Sequence, residues 1–228
     1  MENKTENKTE NTPISGAPQP ESQKERNTGR LTPSGFKKMM TSGRGKDKEL
    51  GDTAIKYAIS IAKERIGVAK DEIWTKETQW GLDNEADALI AYEAHTGIMV
   101  QTCGHVVHPK FDFVGGTPDG FVGTDGIIEI KCPFNSDNHF GNLMFGLQIP
   151  DYDDQMQGYL WITGRQWCDF ISYDPRYPKD LQLHVVRIER NQVRINEIEA
   201  RALVAEKLIQ EWLQIIKARQ AGPNGGEN

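Results

Sequence analysis

The sequence of 228 residues has few cysteines, no long apolar run and no excess of positive charge. Its three cysteines stand far apart, at positions 103, 132 and 168, and an odd, scattered set does not suit a disulfide framework. No apolar run approaches the roughly 18 residues of a membrane helix, and the polar N-terminus lacks the apolar core of a secretory signal. We therefore expect a protein of the reducing cytoplasm.

Lys and Arg number 27 against 33 Asp and Glu, which gives a net charge of −6. This balance argues against nucleic acid as a partner unless the basic residues are clustered. They are clustered, because residues 24–48 carry eight positive charges and two negative ones. One groove of the protein could therefore be basic while the rest is acidic, although a solvated flexible arm is an alternative for part of this segment.

The chain divides into a central region and two polar tails. Residues 1–24 are repetitive and polar, and residues 222–228 begin with a Gly-Pro stop, so we predict that both are disordered. Residues 25–221 show no repeat and no second boundary, which predicts one domain. Apolar spacing predicts helices over 51–67, 80–97, 153–163 and 196–221, and alternation predicts strands over 121–122, 127–131, 167–173 and 181–187. Residues 135–150 have the character of a loop, and the expected fold is mixed α/β, with a sheet flanked by helices.

The main motif lies in residues 115–134. A glycine-rich turn holds Asp119, and ten residues later a short strand places Glu129 and Lys131 on one face and two isoleucines on the other. The two carboxylates, with the carbonyl of Ile130, are hard oxygen ligands that suit Mg²⁺ or Mn²⁺. Lys131 could orient or deprotonate a water, or neutralise charge on a phosphate. The pattern favours metal-assisted hydrolysis; the alternative is a half-buried hairpin with a surface salt bridge.

A shared metal constrains the turn between the two strands. Directly opposed residues of an antiparallel pair lie on the same face. If Val122 opposed Ile127 across a four-residue turn, Asp119 would oppose Ile130 and point away from Glu129. We therefore predict a turn one residue longer or shorter, or a bulge.

Asp119, Glu129 and Lys131 stand in the pattern of the PD-(D/E)xK nucleases, and the flanking Thr-Pro-Asp-Gly and Glu-Ile-Lys-Cys-Pro-Phe resemble the lambda exonuclease-like (YqaJ-type) viral recombination exonucleases. Further matching stretches follow in the expected order over about residues 28–215: Leu-Thr-Pro-Ser at 31–34, Trp-Gly-x-x-x-Glu at 80–85, Gln-x-Gln-x-Tyr at 155–159 and Tyr-Asp-Pro-Arg at 173–176.

The resemblance implies a restriction-endonuclease-like core and a Mg²⁺-dependent 5′-to-3′ exonuclease on linear double-stranded DNA, which leaves 3′ overhangs for recombination by strand annealing. It also implies two metal ions per active site with Mn²⁺ as a substitute, a ring-shaped homotrimer, a single-strand annealing protein as partner, and a bacterial host or prophage origin. An endonuclease of the same fold is disfavoured because no separate recognition domain is visible. A catalytically inactive DNA-binding or assembly module is disfavoured by the intact acidic and lysine residues.

Several further residues take roles from the resemblance. Glu85 resembles the family's helix-borne carboxylate near the metals; the alternative is a first-turn acid favoured by the helix dipole. Thr32 and Pro33 predict a helix start whose free N–H groups, with the Ser34 hydroxyl, suit an anion. The family's counterpart of this stretch holds the 5′-phosphate of DNA.

We carry that phosphate-binding role to Ser34, with Thr117 as a second hydroxyl. Arg26 and Arg30 both lie close upstream and are rival partners for the same phosphate. Gln155 and Tyr159 are four residues apart on one helical face and are expected to contact DNA, Gln155 first; the alternatives are plain helix capping at Ser34 and polar packing at the other two.

Overall fold

The computed structural model describes residues 28–43, 49–69 and 74–220. Arg26 and both predicted tails lie outside these residues. Along the described chain the elements are α1 (Pro33–Met39), α2 (Asp52–Arg65), α3 (Lys76–Thr96), β1 (Val106–Val107), β2 (Gly115–Gly116), β3 (Gly120–Val122), β4 (Gly126–Lys131), α4 (Ser136–Phe145), α5 (Ile149–Thr163), β5 (Trp167–Tyr173), β6 (Leu183–Glu189) and α6 (Gln192–Gln220).

The central sheet has the strand order β3-β4-β5-β6, and β1 and β2 form a separate two-stranded pair. β3 and β6 run antiparallel to their neighbours, whereas β4 and β5 are parallel. Parallel neighbours need a crossover connection, and the chain supplies it through α4 and α5. The sheet is therefore mixed.

Each face of the sheet packs against helices, because successive side chains of a strand point to opposite sides. Ile127 and Phe170 face a core built with α1, α2, α5 and α6. Ile128, Ile130 and Ile171 face the other way, onto Ala88 and Tyr92 of α3. This arrangement confirms the predicted fold class and places Glu129 and Lys131, which alternate with the isoleucines, on the α5 side.

The helix starts follow local capping, and one of them corrects a prediction. Pro33 begins α1 after Thr32, as predicted. α3 begins at Lys76, where the Thr75 hydroxyl accepts a hydrogen bond from the N–H of Thr78. Glu85 therefore lies in the third turn, so its predicted first-turn position is wrong and the helix dipole does not account for it.

A second correction concerns residues 135–150, which were expected to form a loop. They contain α4, which starts after Asn135, whose side chain accepts from the N–H of Asp137, and ends at Gly146 with φ of 63°. α5 follows at once, four residues earlier than the predicted start at 153. No helix within residues 28–43, 49–69 and 74–220 has the length and apolar content needed to cross a membrane.

Candidate active site

The β3–β4 hairpin has a turn of three residues, one fewer than the regular four-residue alternative. Val122 pairs with Gly126, and the ladder continues to the pair of Gly120 with Ile128. One step further along this register, Asp119 lies opposite Glu129, so both carboxylates are on one face. The predicted departure from a four-residue turn is confirmed.

Gly126 belongs to the strand rather than the turn because of its neighbour in β5. It pairs with Trp167, and a Cβ atom at position 126 would lie 2.1 Å from the indole ring. A side chain at position 126 would therefore collide with this ring unless the ring moved. The first residue of β4 is therefore fixed by tertiary contact and not by turn propensity.

Glu129 is almost completely buried, with 1% of its surface exposed. Its Oε1 accepts a hydrogen bond of 2.6 Å from the amide of Gln155 and forms an ion pair with the Lys131 ammonium. Its Oε2 is buried without a hydrogen-bond partner. The surface salt bridge considered from the sequence is therefore a buried one, and it leaves one carboxylate oxygen unsatisfied, which is costly unless another group binds it.

Lys131 lies beside both carboxylates and is held from the other side by an aromatic ring. Its Nζ is 4.7 Å from the centroid of the Tyr152 ring on α5. Burial alone would lower the pKa of Lys131, but the charges of Glu129 and Asp119 outweigh it and raise the pKa. Lys131 is therefore an ammonium ion at neutral pH, which suits it to neutralise a phosphate or orient a water rather than to remove a proton.

The two carboxyl groups are ionised only at an electrostatic cost. Burial, and then the charge of Glu129, raise the pKa of Asp119 well above its usual value, although Lys131 and the Ile130 N–H oppose this. That N–H donates to Asp119 Oδ2 at 2.6 Å. Burial likewise raises the pKa of Glu129 against the opposing effect of Lys131. A cation bound between these groups would relieve the repulsion.

The donor set fits a magnesium-like ion that keeps part of its water shell, because such ions need only one or two protein carboxylates. Across the described ranges, no three carboxylate, imidazole or thiol groups are gathered to hold a metal by themselves. Glu85 is exposed on α3, and its charge raises the pKa of both Asp119 and Glu129. It thus lies within electrostatic range of the pair without completing a three-residue cluster.

The start of α1 lies against the segment that leads to Asp119. A Cβ atom at Gly116 would be 2.8 Å from Cδ of Pro33 and 3.0 Å from Cε1 of Tyr159. The Thr117 hydroxyl is buried without a hydrogen-bond partner. Ser34 is exposed, with its hydroxyl 3.2 Å from that of Thr32. Close packing of Pro33 on Gly116 thus brings the predicted phosphate-binding start of α1 next to the segment that leads to Asp119.

Arg30 lies at the same edge, where its Nε donates to the carbonyl of Asp112 at 3.0 Å. Its Cδ would be 3.1 Å from a Cβ atom at Gly115, so this side chain packs on β2. Its rival Arg26 is outside the described residues.

The sequence predicted Gln155 as a contact to DNA but did not indicate its hydrogen bond to Glu129. It also did not indicate that the ring of Tyr152 packs on the Lys131 ammonium. The available signal was spacing, because Tyr152 and Gln155 are three residues apart and share a helical face.

The mixed sheet flanked by helices, with two opposed carboxylates and a lysine beside them, defines a nuclease of the restriction-endonuclease-like fold. The chain belongs to the YqaJ-like viral recombinase domain family, whose model matches residues 23–166. This membership confirms the resemblance drawn from the motifs.

Solved structures agree. The alkaline exonuclease LHK-Exo from Laribacter hongkongensis is 32% identical over 87% of this chain and 97% of its own, with a TM-score of 0.79. The same enzyme in complex with dAMP is 34% identical over 86% and 95% of the two chains, with a TM-score of 0.77. A phage-related exonuclease from Haemophilus somnus 129PT, 22% identical over 82% and 96%, has a TM-score of 0.69 and supports the fold alone. The comparison with curated proteins gives no match.

Proposed function

We propose that this protein is a metal-dependent exonuclease that degrades linear double-stranded DNA in the 5′-to-3′ direction and leaves 3′ overhangs for recombination by strand annealing. The observation that carries the proposal is the opposed pair Asp119 and Glu129, with an unsatisfied buried oxygen and Lys131 beside it. The relative LHK-Exo is an exonuclease and binds dAMP, a deoxynucleoside monophosphate of the kind that exonucleolytic cleavage of DNA releases.

The metal-binding residues in this proposal are Asp119, Glu129 and the backbone carbonyl of Ile130. Glu85 adds negative charge nearby, which favours a second ion. When bound there, Mg²⁺, or Mn²⁺ in its place, would polarise the scissile phosphate and activate water for attack.

The remaining side chains orient the reacting groups. Gln155 fixes the rotamer of Glu129 through its amide, and Tyr152 supports the Lys131 ammonium with its ring face. The ammonium is then placed to stabilise negative charge that develops on the phosphate. Together with Tyr159, Gln155 borders the site on α5, and these two are the proposed contacts to the DNA strand.

Directionality in this proposal comes from recognition of the 5′-phosphate at the start of α1. Ser34 and Thr117 supply hydroxyl donors, and Arg30 or Arg26 supplies positive charge. Anchoring the terminal phosphate there would fix which phosphodiester bond reaches the carboxylates, so that binding energy is used for positioning.

By resemblance to the family, we also propose a ring-shaped homotrimer and a single-strand annealing protein as partner. A trimer predicts a sedimentation mass close to three times the 25.7 kDa of one chain. A monomer at working concentration would contradict the ring but not the chemistry of the site.

The proposal is tested by incubating the protein with Mg²⁺ and duplexes labelled at the 5′ or the 3′ end, alongside closed circular DNA. We expect early release of label from the 5′ end only, resistance of closed circles, and complete inhibition by EDTA. Glu129→Gln is the matched inactive control. Cleavage of closed circles would indicate an endonuclease, and binding of DNA without hydrolysis by the unmodified protein would indicate an inactive module.

A further inference from the structure

Arg165 lies in the short connection between α5 and β5 and reaches across to the β3–β4 turn. Its Nη1 is 3.4 Å from the carbonyl oxygen of Val122, 2.9 Å from that of Gly123 and 2.7 Å from that of Gly126. Its guanidinium carbon lies 4.1 Å from the centroid of the Phe121 ring. One side chain therefore holds the backbone on both sides of the turn.

The same connection holds the turn through its backbone as well. The N–H groups of Gln166 and Trp167 donate to the carbonyl of Asp125 at 2.8 and 3.3 Å. Arg165 is itself fixed, because its carbonyl accepts from Nη1 of Arg190 at 3.2 Å. The backbone from which the guanidinium extends thus has a defined position relative to β5.

These contacts depend on the register of the hairpin. Val122 and Gly126 are paired, and their carbonyl oxygens are both within reach of one nitrogen atom. In the four-residue alternative Gly126 would leave the strand and Val122 would face Ile127. The three carbonyl oxygens would then not meet at one point, and the side chain of Asp119 would lie on the opposite face of the hairpin from Glu129.

We propose that Arg165 is a positioning residue that selects the three-residue turn and thereby holds Asp119 opposite Glu129. The catalytic consequence rests on the proposed function, because it requires these two carboxylates to bind the metal. The effect on register does not rest on it, since the hydrogen bond from the N–H of Ile130 to Asp119 in this alignment reports directly on how the two strands pair.

The test uses Arg165→Met, which keeps aliphatic contact with Phe121 but removes the donors, and Arg165→Lys, which restores one cationic donor. Binding of Mn²⁺ alone is measured by calorimetry, and hydrogen–deuterium exchange of the Ile130 amide is followed by NMR. We expect Arg165→Met to bind Mn²⁺ about tenfold more weakly than the unmodified protein. Its kcat should fall about ten- to a hundredfold, while its KM for DNA ends changes less than about threefold. Its Ile130 amide should exchange faster. Arg165→Lys should recover part of each loss.

Arg65→Met is the control for general destabilisation. Arg65 is also a partly buried arginine, and it binds Glu206 and the carbonyl of Gly29 rather than the hairpin. Arg65→Met should lower the melting temperature without changing the affinity for Mn²⁺. The exchange rate of the Ile130 amide, relative to that of the slowest amides in the protein, should also stay unchanged.

The inference would be overturned if Arg165→Met kept the Mn²⁺ affinity and the slow Ile130 amide exchange of the unmodified protein. It would also be overturned if Arg65→Met lost Mn²⁺ affinity and Ile130 protection to the same extent as Arg165→Met. If the unmodified protein binds no Mn²⁺ and hydrolyses no DNA, the proposed function fails. The exchange comparison still decides the positioning role.

Discussion

The amide of Gln155 donates a 2.6 Å hydrogen bond to Oε1 of Glu129, which joins α5 to the buried strand β4 at the candidate metal site. Groups that orient a metal ligand in this way commonly contribute about ten- to a hundredfold to metal affinity or activity. We therefore expect Gln155 to position Glu129 for metal binding, in addition to its proposed contact with DNA.

We predict that Gln155→Leu lowers kcat about tenfold and raises the Mg²⁺ concentration needed for half-maximal rate. Gln155→Glu should be worse, because it places a second carboxylate against Glu129. The measurement is a magnesium titration of initial rates. Gln157→Leu is the matched control, since Gln157 bonds the backbone of Glu189 and Asn191 instead. An unchanged magnesium requirement in Gln155→Leu would remove the positioning role.

Isosteric changes of the two carboxylates test their proposed role as metal ligands directly. Asp119→Asn and Glu129→Gln keep the shape of each side chain and remove its charge, so we expect losses of about a hundredfold or more in rate with duplex binding retained. Binding is measured with Ca²⁺ in place of Mg²⁺, and hydrolysis by release of acid-soluble nucleotide. Near-normal hydrolysis by either variant would exclude that residue from the mechanism.

Lys131→Met tests the role of the ammonium ion. It keeps the aliphatic length but removes a charge placed to stabilise the reacting phosphate, so we expect a loss of about a hundred- to a thousandfold in kcat. Calorimetric Mn²⁺ binding should persist, because Lys131 is not a ligand. Loss of metal binding together with activity would show instead that Lys131 acts by holding Glu129 in place.

The pKa of Asp119 predicts how stability depends on pH. Because its pKa in the folded protein is well above the ordinary value of about 4, the folded state binds more protons than the unfolded state above that pH. The stabilising contribution is therefore present below pH 4 and is lost as the pH rises through the folded pKa. Without divalent ions, Asp119→Asn should melt at a higher temperature than the unmodified protein, and the difference should grow from pH 4 to neutral pH.

The measurement is thermal unfolding of both proteins in EDTA across this pH range. Added Mg²⁺ should reduce the difference at neutral pH, because it binds and stabilises only the protein with the ionised carboxylate. A difference in melting temperature that does not vary with pH would show that Asp119 has an ordinary pKa.

The strands that alternate clearly were predictable, and β5 has the predicted bounds of 167 and 173. α4 was missed because several of its apolar side chains, including those of Phe140, Met144 and Phe145, face solvent and give no core periodicity. The start of α3 was missed because its first turn is polar and only the Thr75 cap marks it.

In the site, spacing along the chain proposed Asp119, Glu129 and Lys131 as a set but left a hairpin with a surface salt bridge as an alternative, and the flanking motifs favoured the nuclease pattern. Requiring both carboxylates on one face predicted a departure from a four-residue turn, and the structure selects the shorter of the alternatives. The contacts of Gln155 and Tyr152 with this set could not be predicted in the same way, because they depend on how α5 packs over β4. Gly126 was assigned to the turn for a similar reason, since only the position of the Trp167 ring in β5 shows why a strand residue there is glycine.

The last prediction concerns the 5′ end of DNA. An exonuclease that starts at this end must recognise a terminal phosphate with a charge near −2. The packing of Gly116 against Pro33 brings the start of α1 beside the segment that carries Thr117 and Asp119. We therefore expect 5′-phosphorylated duplexes to be degraded about ten- to a hundredfold faster than 5′-hydroxyl duplexes, the value of one charged hydrogen bond made in the productive complex.

Ser34→Ala should reduce that preference, and replacement of the correct arginine, Arg30 or Arg26, should reduce it more, because it removes a full charge. The measurement compares initial rates on matched linear duplexes that differ only at the 5′ end. Ser60→Ala is the control, because the Ser60 hydroxyl donates to the carbonyl of Tyr57 within α2 and lies on a different helix from Ser34. Equal rates on both ends in the unmodified protein would reject the phosphate pocket. They would leave the metal site standing, since its carboxylates lie on the β3–β4 hairpin and not on α1.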